Sequence, residues 1–165
     1  MNIIRPLDFF QIIKGNHLLL DTNVFIDAFH HPGEFAKLFN ELKDNNITVV
    51  TIDVVVIEFL KGASEIKKLE EKKKYVEKII DAVLPIDKEI IDNVNKLLDI
   101  YKIEAKDVSI VDLLLGGVLV KYGKNIFLMT RDIKDFPGNI YRLETYLTLI
   151  QRKSIQNYGI YRYLT

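Results

Sequence analysis

Several carboxylates in this sequence stand where ordinary folding gives a carboxylate little to do. Asp112 lies in SIVDLLLGGVLV, with apolar residues around it. An unpaired buried carboxylate costs several kcal/mol or takes up a proton instead. Asp112 therefore needs a cation, a cap or a basic partner, and its expected place inside a helix excludes a simple N-cap role. Glu58 sits in VVVIEFLKG, again among apolar neighbours. Taken alone it reads as an i,i+3 partner of Lys61, but Asp112 poses the same problem and weakens that reading. Asp21 follows Leu18, Leu19 and Leu20 and precedes Thr22 and Asn23, so alone it could serve as an N-cap. Asp132 and Asp135 lie in TRDIKDFPG, where turn formation is the ordinary role of an aspartate. Taken together, Asp21, Glu58, Asp112 and Asp132 point to one acidic pocket, which mutual repulsion would destabilise without a counter-charge. Mg²⁺ or Mn²⁺, cations that prefer oxygen, suit a site without histidine or cysteine. The chain has no cysteine, and His17, His30 and His31 are too scattered for a histidine site. Asp27 reads as a solvated residue of the helical turn after Asn23, with no role.

The elements that must position these groups follow from hydrophobic pattern. HLLLD (17–21) is an apolar run that stops at a carboxylate, which is the pattern of a buried strand. Residues 34–44 place Phe35, Leu38, Phe39 and Leu42 at helical spacing. ITVVT (47–51) is β-branched and predicts a second strand, after which Asp53 caps a helix carrying Val55, Ile57, Glu58 and Leu60. Residues 64–81 predict a charged amphipathic helix buried along Ile66, Leu69, Val76 and Ile80. VLPI (83–86) is a short strand or a connector. Asp87 caps a helix with Ile90, Ile91, Val94, Leu97, Leu98 and Tyr101 on one face. Residues 108–122 are apolar on all sides and predict a fully buried helix ending at Gly123. NIFLMT (125–130) is another buried strand, and IYRL (140–143) and YGIYRY (158–163) are expected as edge strands. Buried strands alternating with helices argue for an α/β fold with a parallel sheet covered on both faces. In such folds the working groups lie at the carboxyl ends of strands, where Asp21 and Asp132 fall.

Bulk properties narrow the class. The 165 residues fit one domain, 1–165, and at this length folding buries roughly 70% of the chain's surface without any staple. Hydrophobic content of 48% and charged content of 28% describe a globular chain. The N-terminus lacks the pattern of a secretory signal, and no apolar run approaches the roughly 20 residues of a membrane helix. The expected setting is a reducing cytoplasm. The 23 basic and 23 acidic residues balance to zero, which counts against a protein that coats DNA. It does not count against a nuclease, because acidic ligands can offset a basic groove elsewhere.

Four stretches, LLLDTNVFID, VVVIEFLKG, SIVDLLLGGVLVKYG and FLMTRDIKDF, occur in the order and with the separations of the PIN-domain family. The chain resembles that family over roughly residues 17–137, leaving an N-terminal extension and a C-terminal tail. The resemblance implies an α/β/α sandwich around a central, mostly parallel sheet. It places the family's acids on Asp21, Glu58, Asp112 and Asp132, its polar residue near the fourth acid on Thr130, an accessory acid on Asp135, and the asparagine of its first motif on Asn23. Within the family the chain looks like VapC-type toxins of toxin–antitoxin pairs, which implies RNA as substrate, a homodimer and a cognate antitoxin protein.

Phosphodiester hydrolysis needs an activated water and stabilisation of developing negative charge, which one or two metal ions provide. On this reading Asp21 and Asp112 are direct ligands, and Glu58 and Asp132 complete a second ion or orient water. Thr130 bonds a ligand or the scissile phosphate. Lys61, Arg131 and Lys134 are candidates for contact with the RNA backbone. Two other readings are an RNA-processing nuclease outside a toxin pair and an inactive PIN module that only scaffolds RNA or protein. A haloacid-dehalogenase-type phosphatase needs a second aspartate two residues after the first, and Asn23 stands there instead.

Overall fold

A computed structural model describes residues 2–165. The chain opens with a short strand, β1 (Asn2–Ile4), and a short helix, α1 (Phe9–Ile13). The run HLLL forms β2 (His17–Leu20), and α2 (Thr22–His30) begins immediately after Asp21. Helix α3 (Pro32–Asp44) starts on a proline, whose missing N–H is one a helix start leaves unpaired anyway. Strand β3 (Thr48–Ile52) leads into α4 (Asp53–Lys61), α5 (Ile66–Ile79), β4 (Ala82–Leu84) and α6 (Lys88–Tyr101). A 3₁₀ segment over Lys102–Asp107 precedes α7 (Ile110–Tyr122). Strand β5 (Ile126–Thr130) and a hairpin of β6 (Tyr141–Ile150) and β7 (Ile155–Tyr163) follow.

The strands form one sheet in the order β1-β6-β7-β5-β2-β3-β4. Strands β5, β2, β3 and β4 run parallel, with Leu18 beside Val49 on one side and Phe127 on the other. Strands β7, β6 and β1 extend the sheet antiparallel from β5. Every residue of β5 is buried, and Leu18, Leu19 and Leu20 of β2 are fully buried, so both faces of the parallel core are covered. Helices α6 and α7 pack on each other, and α7 packs on β5 and β7. Helices α2, α4 and α5 pack together, with α2 also against α3 and β5, and α3 and α4 against β3. The α/β/α architecture expected from the sequence is the observed one.

Beyond the first parallel strand the order runs outward both ways: β3 and β4 lie to one side of β2, β5 to the other. That reversal leaves a crevice outside the carboxyl ends of β2 and β5, the usual place for a ligand in such sheets. Helix α7 approaches it because two adjacent glycines permit close packing. A methyl group on Gly117 would lie 2.9 Å from the Ile90 carbonyl oxygen of α6, and one on Gly116 would collide with the Tyr141 hydroxyl.

Several expectations need correction. The segment 158–163 is not an edge strand: β7 lies between β6 and β5, and β6 lies between β1 and β7. Tyr158, Gly159, Ile160 and Tyr161 are all buried, so the polar-looking alternation of the sequence does not mark a solvated face. The N-terminal extension supplies the strand that covers β6, with Asn2 opposite Ile150. Ile66, the first residue of α5, is 81% exposed, and Ile91 and Leu98 are exposed while Asn93 is buried in their helix. Asp53 is the first residue of α4 rather than its cap, and the preceding Ile52 makes no side-chain capping bond. Asp87 does cap α6, accepting from the Ile90 N–H at 3.1 Å.

Candidate metal centre

Asp21 leaves β2 and is the N-cap of α2, with its side chain accepting from the Thr22 N–H at 2.6 Å. The capping reading of this residue is the observed one. Its second carboxylate oxygen accepts from the Thr130 hydroxyl at 2.6 Å and from the Asn23 amide at 2.7 Å. Three donors from two elements fix the orientation of a carboxylate that is only 3% exposed.

Asp112 is not in a helix interior. It is the third residue of α7, whose N-cap Ser109 accepts from the Asp112 N–H at 3.0 Å and donates its hydroxyl to the Asp112 carboxylate. The spacing Ser-x-x-Asp marks such a helix start in sequence, although the carboxylate here accepts from the Ser109 hydroxyl rather than from its backbone N–H. The first turn of a helix also favours a negative charge. Asp132 follows β5 by two residues. Its N–H donates to the Thr130 hydroxyl at 2.9 Å, and its carboxylate lies 3.4 Å from the Asn23 amide.

One carboxylate oxygen from each of Asp21, Asp112 and Asp132 lies within 4.8 Å of the others. Two oxygens on opposite sides of a single Mg²⁺ stand ~4.2 Å apart, so the three acids fit a hard divalent cation with little adjustment. Glu58 reaches the same cleft from α4 and accepts a hydrogen bond from the Thr22 hydroxyl. Its side chain is solvent-exposed rather than enclosed by the apolar residues that flank it in sequence. Asp135 lines the cleft as well, and its backbone carbonyl accepts from the Tyr101 hydroxyl at 2.6 Å. The cleft measures about 430 Å³; five of its lining residues are acidic and, among the described residues, none is basic.

The electrostatics follow from that inventory. Burial, opposed by the Thr130 and Thr22 hydrogen bonds and reinforced by Asp132 and Glu58, pushes Asp21 from 3.8 to about 6. Burial, and then the charges of Asp21, Asp135 and Asp132, also push Asp112 up against the lowering effect of Ser109. Asp135 rises for the same leading reason. A site whose carboxylates resist ionisation together gains most from a cation that neutralises them. The donor set is oxygen throughout, which suits a hard divalent cation.

The basic candidates are placed differently. Lys61 is exposed at the end of α4, and Lys134 is exposed beside Asp135. The Arg131 guanidinium pairs with Asp27 at 3.2 Å, while its backbone N–H donates to the Asn23 side chain at 3.2 Å. Asp27 itself is 6% exposed and accepts from the Tyr158 hydroxyl at 2.6 Å, so the expectation of a solvated residue without a role is overturned. Its partners lie more than 100 positions away, and no local pattern could have shown them. Thr22 and Ser109 are further site residues, and the Ser-x-x-Asp spacing was the available signal for Ser109.

A parallel α/β sheet with a carboxylate centre at its switch point defines the class. Residues 18–137 match the PIN domain model, and the chain belongs to the PIN domain family, whose members are generally metal-dependent nucleases. We find no significant match among curated proteins or among solved structures. Among the described residues, no helix is long and apolar enough to cross a membrane.

Proposed function

We propose that this protein is an endoribonuclease dependent on Mg²⁺ or Mn²⁺, cutting phosphodiester bonds of single-stranded or loop RNA. The carrying observation is the convergence of Asp21, Asp112 and Asp132 from three separate parts of the chain on one small volume. Asp21 and Asp112 would hold the cation directly, Asp132 would complete the set, and Glu58 would orient water or a second ion. The bound cation supplies positive charge to the scissile phosphate and makes water a stronger nucleophile. Asn23 and Thr130 fix the carboxylate oxygens and so set the direction in which the remaining lone pairs point. Lys61 and Lys134 give backbone contacts that carry affinity rather than sequence choice. Unpaired RNA suits an open cleft because its bases are accessible.

The test is cleavage of an RNA panel by purified protein with Mn²⁺, Mg²⁺ or EDTA. Wild type is expected to cut with metal only, and Asp21→Asn to lose at least about 100-fold in rate, in line with loss of a metal-directed water. An unchanged rate in Asp21→Asn assigns the activity to another site. No cleavage by wild type across the panel with either metal favours the scaffold reading.

Two further expectations rest on the family resemblance, the second also on the apolar stripes of residues 34–44 and 64–81. A toxin role predicts that a short neighbouring reading frame encodes a protein that copurifies and inhibits. A cytoplasmic homodimer predicts a mass in light scattering of twice 19.2 kDa at tens of micromolar. The α3 stripe of Phe35, Leu38, Phe39 and Leu42 is buried in the core, so such a dimer must use other surface; Ile57 and Ile66 are 62% and 81% exposed.

A further inference from the structure

We propose that Asp27 is a positioning residue for the acidic centre: by clamping Arg131 it fixes the backbone that carries Asp132. Asp27 lies on the buried side of α2, six residues after Asp21, and does not line the cleft. A carboxylate that is 6% exposed needs strong partners, and Asp27 has three. Arg131 Nε stands 3.2 Å from Oδ2, and the Tyr158 hydroxyl donates to the same oxygen at 2.6 Å. Gln156, with its amide nitrogen turned to Asp27 at 3.2 Å, accepts from the Arg131 guanidinium at 3.1 Å. Burial, the hydrogen bond to Asp27 and its charge push the Tyr158 hydroxyl up, so it remains a donor.

This clamp connects to the metal centre through one residue. Arg131 stands between Thr130, which donates to Asp21, and Asp132. The Arg131 N–H donates to Asn23 Oδ1, while the Asn23 amide nitrogen contacts Asp21, Thr130 and Asp132 at 2.7, 3.1 and 3.4 Å. Asp132 is exposed, and among the described residues its hydrogen bonds run to Thr130 and Asn23. The nearest side chain that anchors its segment to the core is that of its neighbour, Arg131. Release of the guanidinium leaves residues 130–132 held by their own hydrogen bonds, with the next anchors further along the loop at the Asp135 carbonyl, which accepts from Tyr101, and at buried Phe136.

The test uses Asp27→Asn, which keeps the shape and an acceptor for Tyr158 but removes the charge that holds Arg131. Amide hydrogen exchange by NMR reads the clamp without any metal. The Arg131 and Asp132 amides are expected to exchange about 10-fold faster in the variant, with Leu128 and Met129 of β5 unchanged. Thermal-shift titration then reads the consequence, which rests on the metal reading above. The Mn²⁺ midpoint is expected to rise about 10-fold, the lower end of the range for partners that orient metal ligands. Asp27→Asn combined with Arg131→Gln is expected to be no worse than the poorer single variant, because both break one link. Wild-type exchange at Arg131 and Asp132 in Asp27→Asn overturns the proposal, as do additive effects in the double variant. A uniform acceleration that includes β5 reports general destabilisation and also counts against it. If Asp27→Asn does not fold, Arg131→Lys, which keeps the charge and loses the planar fork, is read in the same way. If wild type shows no Mn²⁺ response, the metal reading falls and exchange alone decides the clamp.

Discussion

At the scale of single residues, the centre is a set of carboxylates that the fold holds in a state they would not choose in water. The raised Asp21 and Asp112 have a consequence for the metal-free protein. A folded-state value of about 6 against 3.8 means that the folded chain holds the Asp21 proton more tightly than the unfolded chain does. The associated stability is present below about pH 4 and is lost as pH rises to about 6, a change of about 3 kcal/mol for Asp21. In EDTA, wild type should therefore melt lower at pH 7.5 than this group alone would allow at pH 4. Asp112→Asn should melt higher than wild type at pH 7.5, because the amide carries no charge to bury and still accepts from Ser109. Added Mn²⁺ should reverse the order, stabilising wild type by mass action and the variant hardly at all. Calorimetry in EDTA and in millimolar Mn²⁺ checks both halves. Equal melting temperatures in EDTA would show that burial and the neighbouring carboxylates do not disfavour the Asp112 charge.

At the scale of elements, the centre depends on how closely α7 approaches its neighbours. Ser109 caps the helix, Asp112 sits in its first turn, and Gly116 and Gly117 let the following turn press against Tyr141 and α6. Gly117→Ala places a methyl against the Ile90 carbonyl and the Val94 side chain. Helix propensity favours alanine by about 1 kcal/mol, whereas overpacking costs typically ~1–3 kcal/mol, and a rigid backbone oxygen cannot yield as a side chain can. The variant should lose about 1–2 kcal/mol of stability in urea denaturation. A stabilised variant would show that α6 shifts freely. Tyr101, at the end of α6, donates to the Asp135 carbonyl, so the loop carrying Asp132 and Asp135 is tied to the helical layer as well as to β7. Tyr101→Phe should leave the fold intact and weaken Mn²⁺ binding by a few-fold, read by thermal-shift titration; an unchanged midpoint would remove this bond from the support of the site.

At the scale of the molecule, the sequence itself determined the parallel core and the candidate acids. Runs such as LLL and IFLM cannot face water, so they had to be buried strands, and the carboxylates that end them had to cluster at one edge. Asp112 betrayed itself because apolar neighbours make a carboxylate costly. Local patterns of that kind depend only on residues within a few positions. The tertiary structure alone decided the rest. Pairing of β6 and β7 with β5 and β1 is set by contacts between distant segments, and a strand reads the same in sequence at an edge or in an interior. Asp27 looked like any helical surface aspartate until Arg131 and Tyr158, over 100 residues downstream, were brought against it. Whether a charged side chain is solvated or buried depends on what the fold lays over it. That is decided by the sum of long-range packing, which no window of neighbouring residues contains.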